Sequence, residues 1–246
     1  MALFAGVFII FSTLIVHAEG VDVRVGDPLN YPNGYSYMTH YFYINDHLAY
    51  CLQPRLGPMP NGGYEATEIS SEGYEGYPLL VKVLACGYGG PNDLTSIYFP
   101  NASEQERYIY THIAAGYAYV SNRDVNSSII DITGLSNEDF ENCGLGAFVR
   151  AAWNTEYRGT IKIVRTEGYQ DIGYLASYYL PTWTVRVNKT DNNGAKLQGS
   201  IFGVYSDEGC NNLIKEMPAT DGNGYSETEL ESGYSTVYVK EISAPN

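Results

Sequence analysis

Basic residues are scarce in this 246-residue chain, where 14 lysines and arginines are set against 28 aspartates and glutamates and the formal net charge is −14. A basic groove for the phosphates of a nucleic acid is therefore disfavoured. Charged residues make up only 17% of the sequence, whereas Tyr occurs 24 times and Gly 26 times. An acidic disordered chain has few aromatic residues, so this composition predicts strands, turns and a packed core.

The first eighteen residues contain no Asp, Glu, Lys or Arg. Their apolar run from Leu3 to Val16 is short for a membrane span, and Val16 and Ala18 supply small residues at the −3 and −1 positions of a cleavage site. A polar chain begins at once with Glu19. We therefore expect residues 1–18 to be a signal peptide that is removed on export, although the basic residue that usually opens such a signal is missing.

Cysteine is also sparse, and the four residues are Cys51, Cys86, Cys143 and Cys210. An even number in an exported chain permits disulfides in any of three connectivities. The sequence has no CxxC pair, and His40, His47 and His112 are scattered among aromatic residues. Since structural zinc sites need clustered ligands, we expect no metal and no cofactor.

From Val21 to about Leu180 the sequence consists of short β-like runs separated by turns. Strands are predicted at 36–44, 47–52, 79–85, 160–164 and 174–179, with loops at 54–63 and 88–93. One segment predicts a helix, because Ser103 and Glu106 form a capping box and Ile109, Ile113 and Gly116 recur at helical spacing. A second helix is expected within 137–153. The region is thus predicted to be α+β and rich in β-structure.

After Pro181 the pattern changes to that of a small all-β sandwich. Strands are predicted from Trp183 to Thr190, from Gly199 to Tyr205 and from Ser235 to Ile242, with turn-rich stretches between them. We therefore expect a domain boundary near residue 181.

Two charged residues of this second region fall on apolar strand faces. Residues two apart in a strand share a face, so Lys189 lies on the side of Val185 and Val187, and Glu241 on the side of Val239. Burial favours neutral forms, so it is expected to lower the pKa of the lysine, which then becomes a nucleophile, and to raise that of the glutamate. Alternatively, both residues lie at strand ends and extend to water.

The residues from Val187 to Cys210 and from Thr220 to Pro245 resemble a Cna-B domain of the SpaA type, a prealbumin-like, Ig-like β-sandwich of Gram-positive pilins and surface adhesins. The resemblance implies that Lys189 is the nucleophile of an intramolecular Lys-Asn isopeptide bond and that Glu241 is its proton shuttle. In that family the asparagine lies in a further strand, whereas this sequence ends at Asn246. We therefore expect the domain at 182–246 to be truncated at its last strand.

The larger region carries His47-Leu-Ala-Tyr-Cys51-Leu, then Gly87-Tyr-Gly-Gly90, then Tyr110-Thr-His112-Ile-Ala114 in the predicted helix. This order resembles the thioester domain of Gram-positive surface adhesins. There a Cys and a Gln side chain condense into an internal thioester that amines on a host protein attack. The resemblance implies a thioester-domain-like region at 19–181, and Cys51 is the candidate for the thioester cysteine.

The sequence departs from that family where Gln should follow Thr111, because His112 occupies the position. Imidazole has no carboxamide and forms no thioester with Cys51. Gln53 and Gln105 lie nearby but not at the family position. We therefore expect a degenerate thioester-like fold that binds noncovalently or acts as a spacer.

Together these features predict a secreted cell-surface adhesin or pilin-like protein and not a turnover enzyme. The expected partners are a host or extracellular-matrix protein or glycan, or neighbouring pilin subunits, with no nucleic acid and no small-molecule cofactor. The alternative from another class is a secreted cysteine hydrolase that uses Cys51 and His112, since an imidazole can ionise a nearby thiol.

Overall fold

A computed structural model describes residues 18–31, 38–54, 56–73, 76–121, 136–231 and 236–244. The predicted signal peptide lies outside these ranges except for Ala18, which begins the first strand. The fold is mainly β, as predicted. Within the described ranges, no helix is long and apolar enough to cross a membrane.

The strands are β1 Ala18–Asn30, β2 Met38–Ile44, β3 His47–Cys51, β4 Gly62–Ser70, β5 Arg158–Val164, β6 Ile172–Tyr179, β7 Thr182–Asn188, β8 Ile201–Tyr205, β9 Leu213–Glu216, β10 Tyr225–Glu231 and β11 Tyr238–Ser243. The helices are α1 Pro78–Cys86, α2 Thr95–Tyr98, α3 Glu104–Ser121, α4 Asn137–Asn142 and α5 Gly144–Trp153.

Strands β1 to β6 form a closed antiparallel sheet in the order β1-β2-β3-β6-β5-β4, in which β4 pairs back to β1. Alternate residues of each strand point into this closed sheet, so that Phe42, Ile44, Ala49 and Cys51 are completely buried there. The turn between β2 and β3 is the two-residue hairpin Asn45–Asp46, and both residues have positive φ, 47° and 66°. Such a turn matches the twist of the strands and fixes their register.

The helices cover part of the outer face of the closed sheet. Helix α1 packs on β5 and β6, α3 packs on β3, and both contact α5. A second apolar core fills this interface, with Leu52, Ile161 and Ile163 on the sheet side and Ile109 and Phe148 on the helix side. The predicted helical segment is confirmed as α3. Its capping box is formed, because the Glu106 N–H donates to Ser103 Oγ at 3.2 Å and the Ser103 N–H donates to the Glu106 carboxylate at 2.8 Å.

The predicted strand at 79–85 is wrong, since these residues form helix α1. A continuous apolar run fits a buried helix as well as a buried strand, and Leu80, Val81, Val83 and Leu84 are all buried. Pro78, at the start of the helix, is the signal that favours a helix, because its missing N–H has no intrahelical partner to lose there. The helix expected within 137–153 is present as two helices, α4 and α5, separated by extended backbone at Cys143.

Strands β7 to β11 form two further antiparallel sheets, β7 with β10 and β8 between β9 and β11. Their shared core contains Val204, Met217 and Leu230, with Trp183 and Val185 packed against it. The strands predicted in this region are present as β7, β8 and β11, whereas β9 and β10 were not predicted.

Candidate functional site

Cys51 is the last residue of β3, and its side chain points into the closed sheet, where it is completely buried. Burial raises the pKa of the Cys51 thiol, because a thiolate would lose its hydration in this apolar interior. The nearby carboxylate of Asp171 raises the pKa further. At neutral pH Cys51 is therefore a protonated thiol without access to solvent.

His112 lies on α3 and reaches Cys51 from the helix side of the sheet. The Cys51 backbone N–H donates to His112 Nδ1 at 3.4 Å, and His112 Nε2 lies 3.1 Å from Thr39 Oγ1. Because Nδ1 accepts a hydrogen bond, the network assigns the proton of the neutral ring to Nε2, which then donates to Thr39.

The environment of His112 keeps the ring uncharged. The residue is 1% exposed, and its ring stacks on Phe42, meets Tyr31 edge-on and lies tilted against Tyr108. Burial lowers the pKa of His112 to about 3, since no carboxylate compensates for the lost hydration of an imidazolium. The structure thus brings Cys51 and His112 together as two neutral, buried groups.

The loop after α1 fixes the position of α3. The Tyr88 N–H donates to Thr111 Oγ1 at 2.9 Å, and the same hydroxyl donates to the Arg107 carbonyl at 3.0 Å. A Cβ atom at Gly87 would lie 2.2 Å from Thr111 Cγ2, so only glycine lets the loop approach the helix this closely. The loop at 87–90, Thr111 and His112 therefore form one packed unit.

The two glutamines that the sequence offers as alternatives lie elsewhere. Gln53 follows β3, and its side-chain oxygen accepts the Asp171 N–H at 3.2 Å. Gln105 is exposed in the first turn of α3, seven residues and about 10 Å along the axis from His112. Neither glutamine takes the place of His112 beside Cys51.

Tyr108 is a residue of the site that the sequence reasoning missed. Its hydroxyl lies 2.9 Å from the carbonyls of both His40 and Ala49, and it accepts the Phe42 N–H at 3.3 Å. Tyr108 thereby ties α3 to β2 and β3. The sequence could have identified Tyr108, because it lies four residues before His112 and both side chains therefore share one face of the helix.

Lys189 and Glu241 meet in the second region. Lys189 Nζ donates to Glu241 Oε2 at 2.7 Å, and the two side chains are 26% and 30% exposed. The expected rise of the Glu241 pKa is wrong: the pKa is lowered, first because the Lys189 ammonium donates a hydrogen bond to the carboxylate. Burial is only partial here, so at Glu241 the pairing outweighs desolvation and the carboxylate stays charged.

The neighbourhood of Glu241 contains unused hydrogen-bonding atoms. Glu241 Oε1 and Ser200 Oγ are buried, and within the described residues neither has a partner with hydrogen-bond geometry. The Ser200 hydroxyl is nevertheless close enough to favour the charged carboxylate. Buried polar atoms without partners are rare, so these two atoms are available to a further hydrogen-bonding group.

All four cysteines are free thiols, Cys51 and Cys86 buried and Cys143 and Cys210 partly exposed. Over the described part of the chain, His, Cys, Asp and Glu side chains form no group of three that could hold a metal ion.

A family model described as a thioester domain matches residues 20–151, which is more than half of the chain. No curated protein matches the chain. Among solved structures, the Bacillus anthracis TIE protein is similar over 92% of this chain at 14% identity and a TM-score of 0.41, and this chain covers 61% of that structure.

Two further structures are similar over 65% of this chain. One is the N-terminal thioester domain of a surface protein from Clostridium perfringens, covered completely at 15% identity and a TM-score of 0.40. The other is the N-terminal domain of the Streptococcus pyogenes pilus tip adhesin Cpa, covered to 94% at 13% identity and a TM-score of 0.38.

Proposed function

This chain belongs to the thioester domain family, and from this premise we propose that residues 19–181 are the adhesion domain of a Gram-positive cell-surface protein in which the internal thioester does not form. After export of the protein, with residues 1–18 removed, this domain binds a host or matrix protein or a glycan without a covalent bond to it. Its fold supplies rigidity and display, and its chemistry is not that of a turnover enzyme.

The contact between Cys51 and His112 carries this proposal. A thioester forms when the cysteine sulfur attacks the carboxamide carbon of a glutamine and ammonia leaves. In this chain an imidazole ring lies at the cysteine and accepts its backbone N–H, and imidazole offers neither a carbonyl carbon nor a leaving group. Cys51 therefore remains a thiol.

A cysteine hydrolase is the alternative, and the same contact disfavours it. Such an enzyme needs an accessible thiolate and a basic imidazole. Here burial raises the pKa of the Cys51 thiol and lowers that of His112 to about 3, so both groups stay neutral and no proton moves between them. Both side chains are also closed to a substrate, at 0% and 1% exposure.

For residues 182–246 we propose a Cna-B-type domain in which Lys189 forms an isopeptide bond with an asparagine of a further strand. The ion pair of Lys189 and Glu241 supports this role, because a strand that covers it would remove its remaining hydration and favour transfer of the proton from the ammonium to the carboxylate. The neutral amine then attacks the asparagine carbonyl. Glu241 gives its proton to the departing nitrogen and takes one proton from the attacking amine, so that an amide and ammonia form and Glu241 is left protonated. The buried Glu241 Oε1 and Ser200 Oγ, which have no partner with hydrogen-bond geometry among the described residues, are the atoms that would accept from the incoming amide.

Intact mass measured under reducing, non-nucleophilic conditions tests both parts, because each condensation expels one ammonia of about 17 Da. The chain expressed from residue 19 to residue 246 should have its full calculated mass. A deficit that disappears in Cys51→Ala would show that a thioester forms and would contradict the first proposal. In a protein that continues beyond residue 246, the measured mass should be lower than the calculated mass by one ammonia. The Lys189→Ala variant of that protein should have its full calculated mass. Full mass in both proteins would contradict the crosslink.

A further inference from the structure

Strands β3 and β6 are joined at one end only. Tyr50 pairs with Gly173 and Cys51 with Ile172, whereas the next two pairs in this register, Ala49 with Tyr174 and Leu48 with Leu175, are not formed. The second half of β6 is also irregular, because its pairing with β5 skips Ala176. An extra residue of this kind forms a β-bulge, which bends its strand. A cleft lies between the start of β3 and the second half of β6, where these two strands are not paired.

This cleft encloses about 550 Å³ between the start of β3, the end of β6 and the loop at 88–91. That volume is within the range of about 300–1,000 Å³ that small-molecule sites occupy. Gly89 and Gly90 form part of the wall, so the loop presents backbone there without side chains. Gly89 has a φ of 75°, which glycine adopts without strain.

His47 is the one titratable basic side chain among the described residues that line the cleft. No Asp, Glu, Lys or Arg among the described residues faces it, although the chain as a whole carries a net charge of −14. Aromatic side chains predominate instead. The His47 and Tyr174 rings stack at 4.6 Å with 5° between their planes, and Tyr50, Tyr88 and Tyr178 also line the walls. A charged ligand would lose part of its hydration here and would meet no Asp, Glu, Lys or Arg side chain of the lining.

The backbone adds hydrogen-bonding groups to these rings. In the hairpin of β2 and β3, Ile44 pairs with His47 across the two-residue turn, so His47 and Ala49 direct their N–H and C=O groups to β2. The backbone N–H and C=O groups of Leu48 then point to the opposite side of β3, into the cleft. By the same alternation from Gly173, those of Leu175 point to the cleft from β6. The cleft thus combines flat apolar faces with unpaired backbone donors and acceptors.

We propose that this cleft binds a neutral saccharide. A sugar ring has apolar C–H faces that pack on aromatic rings, and a rim of hydroxyls that exchange hydrogen bonds with backbone amides and tyrosine hydroxyls. An extended peptide fits less well, because the gap closes at Tyr50 and Gly173 and leaves no full length of open strand edge. This proposal rests on the noncovalent adhesion proposed above and specifies the class of its ligand. The cleft involves neither Cys51 nor Lys189, so saccharide binding is tested separately from the mass measurements.

Tyr178 and Tyr179 offer a matched pair for the test. They are neighbours with 54% and 50% exposure, and only Tyr178 lines the cleft. The protein from residue 19 to residue 246 would be titrated by saturation-transfer NMR and calorimetry with maltose, lactose, cellobiose and N,N′-diacetylchitobiose. The same experiment would include a neutral, acetylated and amidated pentapeptide of alternating Thr and Val.

At least one disaccharide should bind the unaltered protein, Tyr178→Ala should weaken binding by at least about tenfold, and Tyr179→Ala should leave it unchanged. His47→Ala, a second exposed position on the cleft, should also weaken it. Absence of binding by all four sugars at about 10 mM would overturn the proposal. Equal binding by the two tyrosine variants, or binding by the pentapeptide alone, would overturn it as well.

Discussion

The stability of the domain should depend on pH through His112. In the folded protein burial lowers the pKa of this ring to about 3, whereas an exposed imidazole in the unfolded chain has a pKa of about 6.5. As the pH falls below about 6.5, the unfolded chain binds the proton first, so the free energy of unfolding decreases. The contribution of the neutral ring is complete above about pH 6.5 and is lost progressively down to about pH 3.

The size of the effect follows from the two pKa values of about 3 and 6.5. At about pH 5 the folded ring remains neutral and most unfolded rings are protonated, which costs the folded state about 2 kcal/mol. At about pH 3 the cost reaches about 4 kcal/mol. Carboxylates such as Glu72 and Asp207, whose pKa values are lowered in the folded protein, also titrate in this range, so a difference between variants is needed.

The assay is urea unfolding at about pH 7.5 and pH 5, performed on Cys51→Ala and on Cys51→Ala/His112→Gln. Glutamine does not titrate, and the alanine prevents any condensation with it. The first variant should lose about 2 kcal/mol more than the second on acidification. Equal losses in the two variants would refute the assignment of His112 as a buried neutral ring, whatever the absolute stabilities.

Two further predictions concern the packing that holds this site. Tyr108→Phe should lower the free energy of unfolding by about 1–3 kcal/mol, because the buried Ala49 carbonyl, the part-buried His40 carbonyl and the Phe42 N–H lose the hydroxyl they contact. Urea unfolding measures this loss. Tyr110→Phe is the control, since the Tyr110 hydroxyl makes no hydrogen bond within the described residues. A similar loss in both variants would contradict the bridging role. Gly87→Ala should lower the free energy of unfolding by about 1–3 kcal/mol, since the new Cβ would lie 2.2 Å from Thr111 Cγ2. Gly57→Ala, whose Cβ would meet nothing within 4 Å, should leave the free energy of unfolding unchanged. Thermal or urea unfolding measures both. Equal stability of the two glycine variants would show that the loop yields without cost.

Local sequence signals predicted the parts of the fold that depend on local interactions. The capping box of Ser103 and Glu106 identified the start of α3, and alternation identified β7. The same reasoning failed at α1, where an apolar run gives no periodicity and only Pro78 distinguishes a helix. It also missed β10, whose exposed residues are acidic and whose buried positions include Ser226 and Thr228.

The candidate site could be predicted in its residues but not in its surroundings. The family resemblance singled out Cys51 and His112, and these two residues lie together. The contacts that set their protonation come from Thr39, Phe42 and Tyr108, which are distant in sequence from one or both of them. The alternation of strand faces predicted that Lys189 and Glu241 point into the same core. It did not predict the close ion pair that keeps the pKa of the glutamate low.

The most direct test of the account is the intact mass of His112→Gln, since the central claim is that His112 occupies the place of the thioester glutamine. The variant should lack one ammonia, a deficit of about 17 Da, and methylamine should open the bond and release the Cys51 thiol. Cys51→Ala/His112→Gln and His112→Asn, whose carboxamide is one methylene shorter, should have their full masses. A His112→Gln protein of full mass that folds as the unaltered chain does would contradict the claim.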